Sequence, residues 1–440
     1  MPWNRAAVAL GLILLIALSA RLLSAQDARV EGQQVHRAVV SDYKRAGQLY
    51  AEHFSSFLHT NSPLSNPDLL AHPPGYSLLW GLILNLGGED RAMQLIQIAC
   101  DVVSVFVLFL IASELLPKNI ALVSALLAAL APQFTWNSAI LLPDTLAILP
   151  VLLSVYFLVV ALKRKQAALS LASGSLIGVS CWLRPNALML APFVSLIVFL
   201  IWPREIRKRH AIALLCGALF IIAPLTIRNA IVFHHFVPLS LGAGQTVLEG
   251  IADYDPEGRF GIPVTDIEII REEAAAAGNA DYAETLFGPD GVARERARFS
   301  RAFAVIGAHP FWFAGVMAQR AISMLRLERA PLIKLSELGA ASGSWLRIPR
   351  TILSVVQRLF ITAVAFPLAL LGVVGLIRMR AWHAMALLIV VPAYYLIFQS
   401  VIHTEYRYIL VIYHFFFVLA ATGVMFALSV GKSAIDNRQV

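Results

Sequence analysis

The chain has 440 residues, of which 58% are hydrophobic and only 14% charged, and its mean hydropathy is +0.72. No soluble domain of this size keeps such a surface wetted, so the composition excludes a soluble globular protein and indicates an integral membrane protein. A net charge of +8 would suggest nucleic acid as a partner of a soluble chain, but here the basic residues first have to be sorted by side of the bilayer, and no nucleic-acid partner is expected.

In chain order, the first apolar run covers about 5 to 25 and follows a single basic residue, Arg5. It reads as a signal anchor in preference to a cleaved signal peptide, because LSA is a poor small-x-small site. Nine further windows approach the roughly 20 apolar residues needed to cross the hydrocarbon core. They lie at about 92 to 115, 119 to 136, 139 to 161, 167 to 183, 187 to 202, 210 to 231, 352 to 377, 382 to 402 and 408 to 430. Lys118, the KRK run at 163 to 165, PREIRKRH at 203 to 210, Arg378 with Arg380, and Lys432 fall on the same side as Arg5. That bias marks the cytoplasmic face. The expected architecture is therefore an all-α polytopic membrane protein of about ten spans, one transmembrane domain over 1–430 with a cytoplasmic tail at 431–440. Two large extracytoplasmic segments, 26–91 and 232–351, belong to that domain.

The second outer segment has helical signals of its own. VTDIEIIREEAAAAG offers Thr265 as N-cap, Glu268 closing a capping box and Gly278 as stop. HPFWFAGVMAQRAISML, 309 to 325, is interrupted by Gln319 and Arg320 and is expected to lie in the interface with Trp312 and Phe313 at headgroup level. The cysteines, Cys100, Cys181 and Cys216, sit in apolar runs without metal-like spacing, so neither a disulfide framework nor a zinc site is expected of them.

Candidate chemistry gathers at the outer ends of the spans. VVSDYKRAGQLYAEHF, 39 to 54, carries Asp42 at the start of a helix-compatible run with Tyr43, Ala46, Leu49, Tyr50 and Phe54. As residues alone, Asp42 reads either as a catalytic base or as a first-turn acid paired with Arg45. In LLAHPPGYSLLWGLILNLGGED, Pro74 suits a helix start, and His72 and Tyr76 read either as a solvated junction or as substrate-lining groups. Arg184, Arg228 and Arg407 all fall where spans reach the outer face, which the charge bias does not favour. They read either as snorkelling side chains or as a phosphate socket, since Arg grips phosphate with two parallel bonds. Glu405, two residues from Arg407, is a candidate partner for it. Asp101 and Asp144 are intramembrane acids, a class that is usually functional or paired.

The order of these landmarks, an outer acid after the first span, HPPGY, WLRPNALML, PLTIRNAIVFHHFVPLSLGAGQTVLEG, a polar outer loop and EYRYIL, resembles one family. This is the polyprenyl-phosphate-sugar-dependent glycosyltransferases of the GT-C fold, which include protein O-mannosyltransferases and the aminoarabinose transferase of lipid A. The resemblance implies an inverting transfer from a polyprenyl-phosphate-linked sugar to a lipid, glycan or protein acceptor, catalysed outside the cytoplasm at the cell (inner) membrane. It implies Asp42 as base, Arg407, Arg184 and Arg228 as donor-phosphate ligands, and His72, Tyr76, Tyr43 and Glu405 along the substrate. Relatives often place a second acid beside the first. Here Tyr43 and Lys44 follow Asp42, which weakens the expectation of a metal-assisted site, leaves divalent-metal dependence open, and makes Asp27 the fallback acid. The competing classes are a lipid-linked sugar flippase and a non-catalytic binding subunit. A transporter commonly has two related halves, whereas seven spans precede the second outer segment here and three follow it.

Overall fold

A computed structural model describes residues 3–333 and 344–436, and among them every regular element is helical. Residues 334–343 of the second outer segment and 437–440 of the expected tail lie outside the described residues. The N-terminal half comprises α1 (Trp3–Val35), α2 (Arg37–His53), α3 (Gly75–Asn85), α4 (Asp90–Leu115), α5 (Lys118–Leu130), α6 (Pro132–Asn137), α7 (Asp144–Arg164), α8 (Ala167–Leu183), α9 (Leu190–Ile201) and α10 (Arg204–Phe233). The outer segment then forms α11 (Ala243–Ala252), α12 (Asp266–Ala277), α13 (Gly291–Ala308) and α14 (Pro310–Met324), and the chain ends with α15 (Arg347–Gln357), α16 (Thr362–Arg378), α17 (Trp382–Gln399) and α18 (Leu410–Asp436).

Each expected apolar window contains a helix, but not every one is long enough to cross a membrane by itself. Among the described residues six helices are long and apolar enough to cross a membrane, or up to eight if each of two bent pairs counts as one span. The chemistry of the breaks accounts for the difference. Pro132 has no amide hydrogen and forces Ala131 into extended backbone (φ −61°, ψ 128°), so the window at 119 to 136 splits into α5 and α6. The 13 residues of α5 reach only about 20 Å at about 1.5 Å per residue. The window at 352 to 377 is bent by 61° between α15 and α16.

Both ends of α7 are fixed by charge. At its last turn Lys163 donates to the Glu114 carboxylate (2.9 Å) and to the Glu114 backbone carbonyl at the end of α4. At its first residue Asp144 meets Arg184 just beyond α8. The lysine-rich end and the Arg184 end are thus separated by the 21 residues of α7, about 30 Å. Between them lies a mainly apolar interior that contains a buried ion pair. Arg21 of α1 donates through Nε to Asp101 of α4 at 2.6 Å, and through Nη1 to the carbonyl of Ala129 in α5 at 2.9 Å. Both side chains are fully buried.

Close helix contacts rest on glycine, as in other membrane interiors where backbones approach through small residues. A Cβ on Gly174 of α8 would lie 1.8 Å from the Leu214 carbonyl oxygen of α10, and one on Gly217 would lie 2.0 Å from that of Leu171. Gly217→Val is therefore expected to lose about 1–3 kcal/mol through overpacking. A lowered melting temperature in detergent is the expected readout, and an unchanged one contradicts this contact.

The outer segment has a separate core of Val247, Leu248, Ile251, Ala302 and Phe313, packed against Val401 and Ile402 beyond α17. Thr265 and Glu268 make the expected capping box at α12, and Gly278 ends it with φ 62°. Helix α14 exists as expected, bent by 105° from α13, but its phase corrects the assignment of Phe313. Phe313 is 5% exposed in the outer core, Trp312 packs on Phe260 at 4.7 Å, and Phe311 is the exposed aromatic ring. The three cysteines are unbridged.

Candidate functional site

Three chain breaks deliver the site. Helix α8 stops at Leu183 because the residue before a proline is biased toward extended backbone, and Arg184, preceding Pro185, adopts φ −147°, ψ 133°. Helix α7 begins with Asp144, directly after Pro143. The link from α17 to α18 is extended at Glu405 and then forms one tight turn over Tyr406–Ile409 that carries Arg407.

These breaks bring two arginines and two carboxylates together. Arg184 donates to Asp144 through Nε (3.0 Å to Oδ1) and Nη2 (2.6 and 2.7 Å to the two oxygens). Arg407 makes two parallel bonds to Glu405, each 2.7 Å, and its Nη1 lies 3.8 Å from Asp144 Oδ2. The Tyr408 ring lies 4.7 Å from the Arg184 guanidinium and 5.1 Å from that of Arg407. Tyr394 of α17 holds the neighbouring loop by donating to the Asn186 carbonyl at 2.7 Å. The cavity bounded by Asp144, Ser180, Arg184, Asn186, Tyr395 and Arg407 measures about 20 Å³, room for roughly one water.

The first outer segment meets this cluster from the side. The Tyr43 and His72 rings stack at 4.6 Å, and both feel the charges of Arg184 and Arg407. Burial, reinforced by those two cations, pushes His72 down to about 3, so its imidazole is neutral and suited to stacking and hydrogen bonding. His36, at the break between α1 and α2, is also lowered, first by burial and then by Arg407. Burial opposes ionisation of Glu405, but the bonds and charge of Arg407 outweigh it and hold that carboxyl below its ordinary value.

The structure thus groups Arg184, Arg407 and Glu405, with His72 and Tyr43 at their edge. Three expected residues lie elsewhere. Arg228 of α10 does not share the cluster: it donates to the carbonyls of Phe57 (3.3 Å) and Leu64 (2.6 Å) and lies against the Phe57 and Phe233 rings, clamping the loop after α2. Tyr76 is fully buried and donates to Gln97 at 2.8 Å. Asp42 does not open a helix, since α1 continues to Val35 and α2 begins at Arg37, which puts Asp42 in the second turn. It pairs with Arg45 at 3.1 Å, its side chain is 52% exposed, and no bond joins it to either clustered arginine. Partial burial still raises its carboxyl above the ordinary value, against the pull of Arg45. The fallback acid Asp27 is buried and bonded to Arg350 of α15 at 2.6 and 2.8 Å.

Sequence reasoning marked Asp144 as anomalous without finding its partners, and missed His36 and Tyr408. A histidine in the polar stretch QDARVEGQQVHR and a tyrosine in EYRYIL carry no periodic signal. Among the described residues no group of three or more His, Cys, Asp or Glu is placed to hold a metal ion.

Residues 71–227, a stretch containing His72, Asp144 and Arg184, match the family described as dolichyl-phosphate-mannose-protein mannosyltransferase. No curated protein matches the chain in sequence. The fold is similar to that of the oligosaccharyltransferase of Archaeoglobus fulgidus in its apo form, with TM-score 0.56 at 15% identity over 100% of this chain and 53% of that one. It is also similar to the archaeal oligosaccharyltransferase AglB from Archaeoglobus fulgidus in complex with an inhibitory peptide and a dolichol-phosphate, with TM-score 0.53 at 14% identity over 99% of this chain and 52% of the other. The chain therefore spans about half the length of the solved structures it matches. The chain is a multi-pass membrane protein with the GT-C fold that the order of its motifs implied.

Proposed function

We propose that the protein transfers a sugar from a polyprenyl-phosphate-linked donor to a hydroxyl or amine of a lipid, glycan or protein, at the extracytoplasmic face of the cell membrane. The observation that carries this reading is the meeting of Arg184 and Arg407 on Asp144, at the end of α7 remote from the lysine-rich face. A dolichol-phosphate in one structural neighbour and the mannosyltransferase family matched by residues 71–227 support a lipid-borne phosphate donor.

The chemistry suits a sparse site. The donor phosphodiester carries one negative charge, and departure of the lipid phosphate raises that toward two. A fixed guanidinium gains more from the transition state than from the bound donor, which is the condition for lowering the barrier. Phosphate leaves without an obligatory general acid, but the attacking hydroxyl has to lose its proton. Asp42 is the proposed acceptor of that proton, with the acceptor substrate lying along the exposed flank of α2; its raised carboxyl makes it a stronger base. A single displacement of this kind inverts the anomeric carbon. His72 and Tyr43 form the proposed wall on the substrate side.

The test is to give the protein in its native membranes, which carry the acceptor, a panel of polyprenyl-phosphate sugars and measure release of free lipid phosphate. Asp42→Asn is expected to slow release by about 10²- to 10⁴-fold with donor binding unchanged. An Asp42→Asn protein that turns over at the wild-type rate removes Asp42 from the mechanism, and a wild type that consumes no donor removes the reading.

A further inference from the structure

The cluster described above is balanced in charge. Two guanidiniums face two carboxylates, the Nε and Nη2 donors of each arginine are taken, and the cavity beside them holds about 20 Å³. A phosphate group is much larger than one water, so an anion reaches Arg407 only if a side chain leaves. The two carboxylates differ in their freedom to do so. The Asp144 side chain is 5% exposed, sits on the first turn of a long helix and is shared by both arginines. The Glu405 side chain is 33% exposed, has one more rotatable bond, and hangs from extended backbone (φ −87°, ψ 153°).

We propose that Glu405 is a resident stand-in for the donor phosphate, occupying its seat on Arg407 until the donor exchanges with it. This rests on the reading of the arginine pair as the donor-phosphate site and goes beyond it by naming the residue that sets its affinity and selectivity. The bidentate Glu405 bond uses Nε and Nη2 of Arg407, the same fork that accepts two phosphate oxygens. Asp144 stays in place and keeps both guanidiniums aimed. Exchange changes the seat from neutral to one net positive charge, which the donor's single negative charge then balances, while the released carboxylate moves toward water. A second partner is at hand there. His403 lies two residues upstream, its Nδ1 donates to Asp253 at 2.8 Å, and when that carboxylate keeps the ring protonated its Nε2 can donate as well. Its charge, like that of His36, acts on Glu405. An anion that makes one bond competes poorly with a bidentate carboxylate, so the exchange favours phosphate and phosphodiester groups over chloride.

The test measures binding to full-length protein in nanodiscs, using polyprenyl phosphate without sugar as the probe and inorganic phosphate as a second arm. Glu405→Gln removes the charge and keeps the shape, and is expected to bind polyprenyl phosphate about tenfold more tightly than wild type, with Glu405→Ser shifted in the same direction. Arg407→Gln is expected to lose binding. Unchanged or weaker binding by Glu405→Gln or Glu405→Ser at wild-type melting temperature overturns the exchange, as does an Arg407→Gln protein that binds like wild type. A gain confined to inorganic phosphate overturns the lipid-borne ligand. Because the probe carries no sugar, tight binding by Glu405→Gln supports the seat even if no sugar is transferred, so failure of the exchange and failure of transfer are read separately.

Discussion

Arg407→Ala is expected to reduce sugar release from a polyprenyl-phosphate donor by about 10²- to 10³-fold, the scale for removing one preorganised charge stabiliser from a reacting centre. The size follows from where the charge grows. In the proposed transfer Arg407, 7% exposed and held by the Tyr408 ring and the nearby Asp144, meets the developing phosphate dianion without first shedding a water shell. Its loss also leaves Glu405 without its bidentate partner in a half-buried place. Arg407→Lys keeps the charge but supplies a point donor in place of a planar fork, so it is expected to recover only part of the activity. Single-turnover rates at saturating donor are the measurement, since they separate the chemical step from donor affinity. Equal rates for Arg407→Ala and wild type mean that the phosphate does not leave from this seat.

The largest stability effect is expected away from the site, at the intramembrane pair of Arg21 and Asp101. Arg21 ties three helices, since its guanidinium reaches Asp101 of α4, the Ala129 and Ala128 carbonyls of α5 and the Ala17 carbonyl of its own helix. Asp101→Ala leaves the guanidinium buried without a counter-charge, a change that costs about 3–5 kcal/mol in buried pairs. That is a large part of an ordinary folding free energy of about 5–15 kcal/mol. The expected result is a strong fall in melting temperature and in folded yield. Removing both charges together, Arg21→Met with Asp101→Leu, is expected to restore much of the loss, because the expense lies in the orphaned charge more than in the missing attraction. A double variant no better than Asp101→Ala contradicts that account.

Much of the architecture was legible because it is a matter of composition. Long apolar windows and the side on which Lys and Arg collect are local properties, and the capping box at Thr265 and Glu268 is a four-residue pattern. Contacts between near neighbours were legible for the same reason, as with Asp42 and Arg45 or Glu405 and Arg407. The partners of Asp101 and Asp144 were not, because they lie 80 and 40 residues away and are chosen by helix packing. Arg228 shows the same limit in the opposite direction. It shares with Arg184 and Arg407 a place at the outer end of a helix, yet the loop of Phe57 and Leu64 folds back over it and takes its donors. The phase of α14, which buries Phe313 and exposes Phe311, was fixed by the outer core at Val401 and Ile402, far along the chain.

The placement of Asp42 has a physical lesson of its own. A break at His36, with backbone at φ −113°, ψ 21°, starts α2 earlier than its polar composition signals and turns Asp42 toward water beside Arg45. Tyr43, the next residue, points inward and packs against His72 and Tyr76. One residue along a helix turns the side chain by about 100°, so the base proposed from the order of motifs and the ring that borders the arginines occupy different faces of one element.

The most direct measurement is a structure of the full-length protein with bound polyprenyl phosphate. The account predicts phosphate oxygens within hydrogen-bond distance of the Arg407 guanidinium, Asp144 still holding Arg184, and Glu405 turned away. Phosphate found at Arg228 or at the lysine-rich end of α7, with the bond between Glu405 and Arg407 intact, contradicts it.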